Sequence, residues 1–418
     1  MARGEGINPE ILIWARESAG LSIADAADKI GLLPSETASA SDKLIEFETG
    51  VKSPTRNQLV KIAAVYRRPL ITFYMAVPPP KGERGEDFRA HSVGISNREN
   101  ALLDALLRDI RGRQEMVRSL LEDEDEAVRL QFVGAASISD GVHSVARRIN
   151  DALGLPETGQ GRPGGPDSLF KDLRSRCEHL GVFVLLVGNL GSHHSALTDS
   201  VFRGFALADE VAPFIVINDQ DARAARAFTL IHELTHIWIG QSGVSGSAED
   251  DADPTPKGRI EQFCNDVASE VLLPSAALAE RPSGLAVGGK EGAHRVIGRI
   301  ADTWSVSEPM VAYRFHRMGW ISSVTYRQLS ADYAARWRAN KAQEKAKTKE
   351  NEGGPSYYVI KQHKLGNALI GIVQRTLRDN LLTHTKAAKV LGVKPTAVEP
   401  LLRRFEAGRG AIFIETRR

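Results

Sequence analysis

The sequence predicts a mainly helical protein of the α+β class, carrying one small sheet. Apolar residues recur at three- and four-residue spacing over most of the 418-residue chain. Only two runs read as strands, the unbroken apolar Val182–Val187 and the short Phe214–Asn218. Clusters of Gly and Pro, such as Val77–Lys81 and Gly353-Gly354-Pro355, cut the pattern into separate segments. A chain of this length outgrows one hydrophobic core, so two or three domains are expected.

Residues 1–80 read as a helical bundle. Ile11, Leu12, Trp14 and Ala15 begin one helix; Ser22 caps a second, which Gly31 stops. Further helices follow around Ser41–Phe47, after Thr55 and after Pro69. Residues 81–165 hold a long amphipathic helix (Leu102, Leu103, Leu106, Leu107, Ile110, Met116, Leu120, Leu121), a second near Val142–Leu153 and a Gly-rich loop. Residues 166–330 contain a helix over Ser168–Leu180, both strands and a set of helices broken by the acidic loop Gln241–Gly258. Residues 331–352 form a charged helix or linker. Residues 353–418 are helical, and Thr383–Leu402 has the look of a helix-turn-helix unit.

Composition excludes several classes. Hydrophobic residues make up 42% and charged residues 25%, the balance of a soluble globular protein. No run reaches the roughly 18 apolar residues of a membrane span, and the start has no signal-peptide core. Two cysteines, Cys177 and Cys264, are too few for a disulfide framework. A cytoplasmic protein without membrane contact is expected. The net charge of +2 conceals a basic tail: residues 353–418 carry 12 Lys or Arg against 4 Asp or Glu. Such a tail suits nucleic acid or another acidic partner, or is simply solvated.

The chemistry concentrates at Ala222–Ile239, which has helical periodicity and neither Gly nor Pro. Positions four apart share a helix face, so His232 and His236 can point two imidazoles at one ion. Glu233 stands beside that line, where a carboxylate can take a proton from an activated water without occupying the metal. Composition alone yields this His-acid-x-x-His pattern roughly 0.04 times per chain. A zinc hydrolase needs a third protein ligand. Glu261, 25 residues after His236, lies on a helical segment whose apolar face is Phe263, Val267 and Val271. Glu249, Asp250, Asp251 and Asp253 in the loop compete with it, as do Asp266, Glu270, His193 and His194. Asp266 also suits the role of partner to a ligating histidine. Tyr313 and His316 are candidate oxyanion donors or ordinary helix residues.

These residues sit in stretches that resemble the ImmA/IrrE family of bacterial metallopeptidases: Phe202–Phe205, Pro213–Asn218, Ala225–Gly240 and Ile260–Pro274. The resemblance implies a zincin-like peptidase domain and a third ligand from a Glu-x-x-Ala-Asn-x-Phe-Ala pattern. Here that aligns Glu261, with Cys264 in place of Ala and Asp266-Val267 in place of x-Phe. It further implies cleavage of one protein, a transcriptional repressor or a toxin or antitoxin component encoded nearby. The front end, including Asp87–Arg89, is similar to Xre-type helix-turn-helix domains fused to such peptidases. Such a domain lays its third helix in the major groove of double-stranded DNA. Lys43, Lys52 and Arg56 are then the candidate DNA contacts. Two features depart from that pattern. Gly31 and Glu48 are 17 positions apart, where about ten are usual, and residues 1–80 carry nine basic and nine acidic residues.

The expected function is a zinc-dependent regulatory endopeptidase, with manganese the alternative metal, DNA binding at either end and room for a homodimer. His232, His236 and Glu261 hold the ion and Glu233 is the general base. The competing expectation is a DNA-binding repressor or antitoxin whose peptidase domain mainly binds a partner.

Overall fold

The computed structural model describes residues 6–79, 96–155, 162, 164–191, 195–245, 255–278, 282, 289–350 and 356–415. Two compact units partition the chain. The first comprises residues 1–110 with 189–197, the second 111–188 with 198–418.

The first unit is built from α1 (Pro9–Ser18), α2 (Ile23–Ile30), α3 (Ala40–Glu48), α4 (Arg56–Tyr66) and the start of α5 (Asn97–Asp123). Each short helix begins on a side-chain cap: Asn8, Ser22, Ser39 and Thr55 each accept a backbone N–H of the first turn. Ile11, Leu12, Leu44, Leu59, Ile62, Tyr66 and Phe73 form the core. Arg16 on α1 grips Glu48 on α3 with two bonds, of 2.7 and 3.0 Å. Residues 31–39 join α2 to α3, well beyond the three or four residues of a helix-turn-helix turn.

The second unit continues through α6 (Val142–Leu153), α7 (Gly165–His179), β1 (Phe183–Leu186), β2 (Gly204–Leu207), β3 (Phe214–Ile217), α8 (Arg226–Trp238), β4 (Gly243–Ser245), α9 (Pro256–Leu272), α10 (Gly289–Trp304), α11 (Glu308–Arg317) and α12 (Ser323–Glu350). The basic tail adds α13 (Tyr357–Leu365), α14 (Asn367–Arg378), α15 (His384–Leu391) and α16 (Pro395–Glu415). The sheet order is β1-β3-β2-β4, with β1 parallel to β3 and the other pairs antiparallel. Every residue of β1, β2 and β3 is buried. One continuous core joins α6–α12 to the sheet.

Both anticipated strands are present, and β2 and β4 join them. No linker separates the peptidase helices from the charged stretch after residue 330, because α12 runs through it unbroken. Nor does the tail hang free. Arg174 on α7 pairs with Glu178 at 3.2 Å and donates to the carbonyls of Val184, His363 and Lys364. Glu178 in turn accepts the first amides of α14, Asn367 N–H at 3.1 Å and Ala368 N–H at 3.3 Å. Gly366 lies between them at φ +79° and ψ 165°, a conformation open essentially to glycine alone. A Cβ there would also run into the Glu178 carboxylate. Burial pushes the Glu178 carboxyl up and the Arg174 guanidinium down despite their mutual attraction. The pair therefore acts mainly to fix where the tail docks. Glu178→Ala should leave Arg174 buried without a counter-charge and destabilise the chain by about 3 kcal/mol in urea unfolding. A loss below about 1 kcal/mol would show that the pair is not what fastens the tail.

Candidate metal centre

α8 alternates apolar residues with polar ones, and its polar side chains from Thr229 to His236 are enclosed along with the apolar ones. Ala227 and every residue from Thr229 to Trp238 are buried. Gly240, at φ +70°, ends the segment. On this helix the rings of His232 and His236 sit with centroids 4.9 Å apart and planes at 62°. Their Nε2 atoms are 3.1 Å apart. α9 crosses beneath, held by Phe263, Val267 and Val271 in the shared core. It brings the Glu261 carboxylate to 3.3 Å from His232 Nε2 and 3.4 Å from His236 Nε2.

This is a group that could hold a metal ion. Two ligands at 2.0–2.1 Å from a tetrahedral ion stand roughly 3.3 Å apart. The three separations, 3.1, 3.3 and 3.4 Å, match the edges of such a coordination shell. The donors suit zinc, two imidazoles and a carboxylate leaving one position open. Of the three side chains Glu261 is the most exposed, at 20% against 5% and 3%. Burial favours its neutral carboxyl, yet His236 and His232 hold it well below the usual carboxylate range. Cys264, which takes the alanine position of the family pattern, is fully buried against His236, and burial pushes its thiol up.

Glu233 is fully buried one residue from His232 and stays outside the three-residue group. Strand β2 backs it, a relation the sequence did not reveal. Asp266 is engaged elsewhere: Tyr313 donates to it at 2.8 Å and Arg317 through two bonds of 2.8 and 2.7 Å. It is thus neither a ligand nor the partner of a ligating histidine. Burial and then Asp266 push the Tyr313 phenol far up, so it remains a committed donor to that carboxylate. Glu270 pairs with Arg314 and accepts both the amide (2.9 Å) and the hydroxyl (2.7 Å) of Ser275. His316 stacks on Tyr326, with planes 8° apart. His193, His194, Glu249, Asp250, Asp251 and Asp253 lie outside the described residues.

Two of the three candidate DNA contacts of the first unit have other work. Lys43 donates to the Leu33 carbonyl at 2.7 Å, closing the long α2–α3 connection, and Lys52 pairs with Glu46 at 2.8 Å. Arg56, at the first position of α4, is exposed.

Residues 177–316 match the family model of the IrrE N-terminal-like domain, which points to a metallopeptidase of the ImmA/IrrE type in that stretch. Neither the curated proteins nor the solved structures contain a match to the chain. No helix among the described residues is long and apolar enough to cross a membrane.

Purified protein should carry about one divalent ion per chain. Alanine at His232, His236 or Glu261 should each lower metal content sharply, as read by elemental analysis after dialysis. If Glu261→Ala keeps the parent's content while alanine at Glu249 or Asp253 removes it, the third ligand lies in the acidic loop.

Proposed function

We propose that this chain is a zinc-dependent regulatory endopeptidase acting on a specific protein, and the IrrE-like stretch at residues 177–316 is the premise. The observation that carries the reading is the convergence of His232, His236 and Glu261 at coordination-shell spacing beside the buried Glu233. In this reading the first three hold the ion, with manganese the alternative metal. The bound ion supplies Lewis acidity, polarising a scissile carbonyl and making water a stronger acid. Glu233 accepts the proton of the attacking water and passes it to the leaving nitrogen. The packed walls of α8 and the sheet exclude bulk solvent around that carboxylate and hold its orientation.

The substrate we favour is a repressor, or a toxin or antitoxin component, encoded beside this chain. The test mixes zinc-loaded protein with each neighbour-encoded protein and maps fragments by mass spectrometry. Glu233→Gln should retain the metal, bind the same partner and cleave it about 10²–10⁴-fold more slowly. Parental behaviour from a metal-loaded Glu233→Gln protein, in fragments and in cells, would favour a binding role over catalysis.

A second reading, double-stranded DNA binding through the tail, has one observation in its favour. α15, the left-handed Gly392 and α16 form a short helix-turn-helix arrangement. Lys386, Lys389 and Lys394 are exposed on it, with no carboxylate partner among the described residues. In the front unit Lys43 and Lys52 are engaged internally, while Lys29, Arg56 and Lys61 are exposed, so the turn between α15 and α16 is what sets the tail apart. Replacing the three tail lysines with alanine should weaken promoter binding for all sequences alike. For every lysine that meets a phosphate, its removal should flatten the salt dependence by about one unit of slope. An unchanged slope would remove the tail from the interface.

A further inference from the structure

We propose that Gly204 is a positioning residue for Glu233, its bare Cα forming the wall against which the carboxylate is set. This rests on the reading of Glu233 as general base.

A glycine inside a strand weakens it, because it packs no side chain and loses the most backbone freedom on folding. Left-handed geometry does not explain this one, since Gly204 is not among the residues with positive φ. Its surroundings do. A Cβ on Gly204 would stand 2.7 Å from Glu233 Oε1, 3.1 Å from Glu233 Cγ and 2.6 Å from Thr229 Cγ2. All three separations fall well inside ordinary carbon contact distances.

Neither partner can withdraw easily. Gly204 is paired with Ile217 of β3 on one side and Ser245 of β4 on the other. Fully buried Phe202 and Phe205 flank it along the chain. α8 is packed on every face, and Glu233 is 0% exposed. An added methyl must therefore be absorbed by rotating the Glu233 carboxylate or by shifting Thr229. Rotation moves the base relative to His232, His236 and Glu261 while leaving all three ligands in place. Misplacing a reacting group by about 1 Å can cost on the order of 100-fold in rate.

The test is a thermal-unfolding cycle on the zinc-loaded full chain, using Gly204→Ala, Glu233→Ala and Thr229→Ser singly and in pairs. Gly204→Ala should lower Tm by about 5 °C at unchanged metal content. Adding Glu233→Ala should restore most of that loss, because the methyl then fills space the carboxylate vacates, whereas Thr229→Ser should restore little. Restoration by Thr229→Ser instead would place the methyl's burden on Thr229 and overturn the proposal. Additive effects across the cycle would overturn it equally. On a protein that the parent cleaves, Gly204→Ala should lower kcat about 100-fold with KM within about twofold. An unchanged kcat would also overturn it. Should the parent cleave nothing, the peptidase reading fails, while the thermal cycle still decides whether Gly204 sets Glu233.

Discussion

Two imidazole nitrogens 3.1 Å apart repel one another unless a proton or a cation stands between their lone pairs. Nearly everything around α8 can be understood as keeping them there. A side-chain pair on an exposed helix would relax by rotating into solvent. Here the helix is enclosed by the sheet, by α9 and by the surrounding core, so the rotamers have nowhere to go. Glu261 completes the arrangement from a second helix, and its alignment depends on how α9 is held. That helix is tied to α11 at two places, Asp266 by Tyr313 and Arg317, and Glu270 by Arg314. Polar groups that sequence reading could assign to the chemistry are instead the fasteners that keep the carboxylate on its mark.

The ligating helix is legible in the sequence because its signal is local. The spacing of His232 and His236, the apolar periodicity and the absence of Gly and Pro all fall within one segment. Glu261 is legible as one contender, since α9 is amphipathic and the helical repeat places its face. What escapes such reading is set by distant residues. β2 is four residues long, follows a polar stretch and owes its strand character to β3 and β4. Gly204 gives no signal, because nothing in the chain around it points to Glu233. Asp266 suggests a partner of histidine only because its true partner, Arg317, lies 51 positions away. The tail reads as a separate end because its attachment to Arg174 spans 189 positions.

Charge distribution also separates the two ends in a way that totals conceal. The first unit carries balanced charge, and three of its positive groups are held within it, Arg16 on Glu48, Lys52 on Glu46 and Lys43 on a carbonyl, while Lys29, Arg56 and Lys61 are exposed. The tail keeps Lys386 and Lys389 turned outward on α15, whose inner face is filled by Ala387, Ala388, Val390 and Leu391, and Lys394 exposed in the turn that follows. A surface free to meet a polyanion is one whose cations have no internal duty.

The seating of α14 on Glu178 has a consequence for how this chain can be taken apart. The peptide link between the peptidase helices and the tail passes through α12 and residues 351–355, whereas the grip on the tail comes from α7. A cut in that link removes covalent continuity without touching the Arg174 and Glu178 contacts. The tail is therefore fastened by side-chain contacts independent of the covalent link, those to α7 together with Lys364 on Asp219 and Arg375 on Glu126.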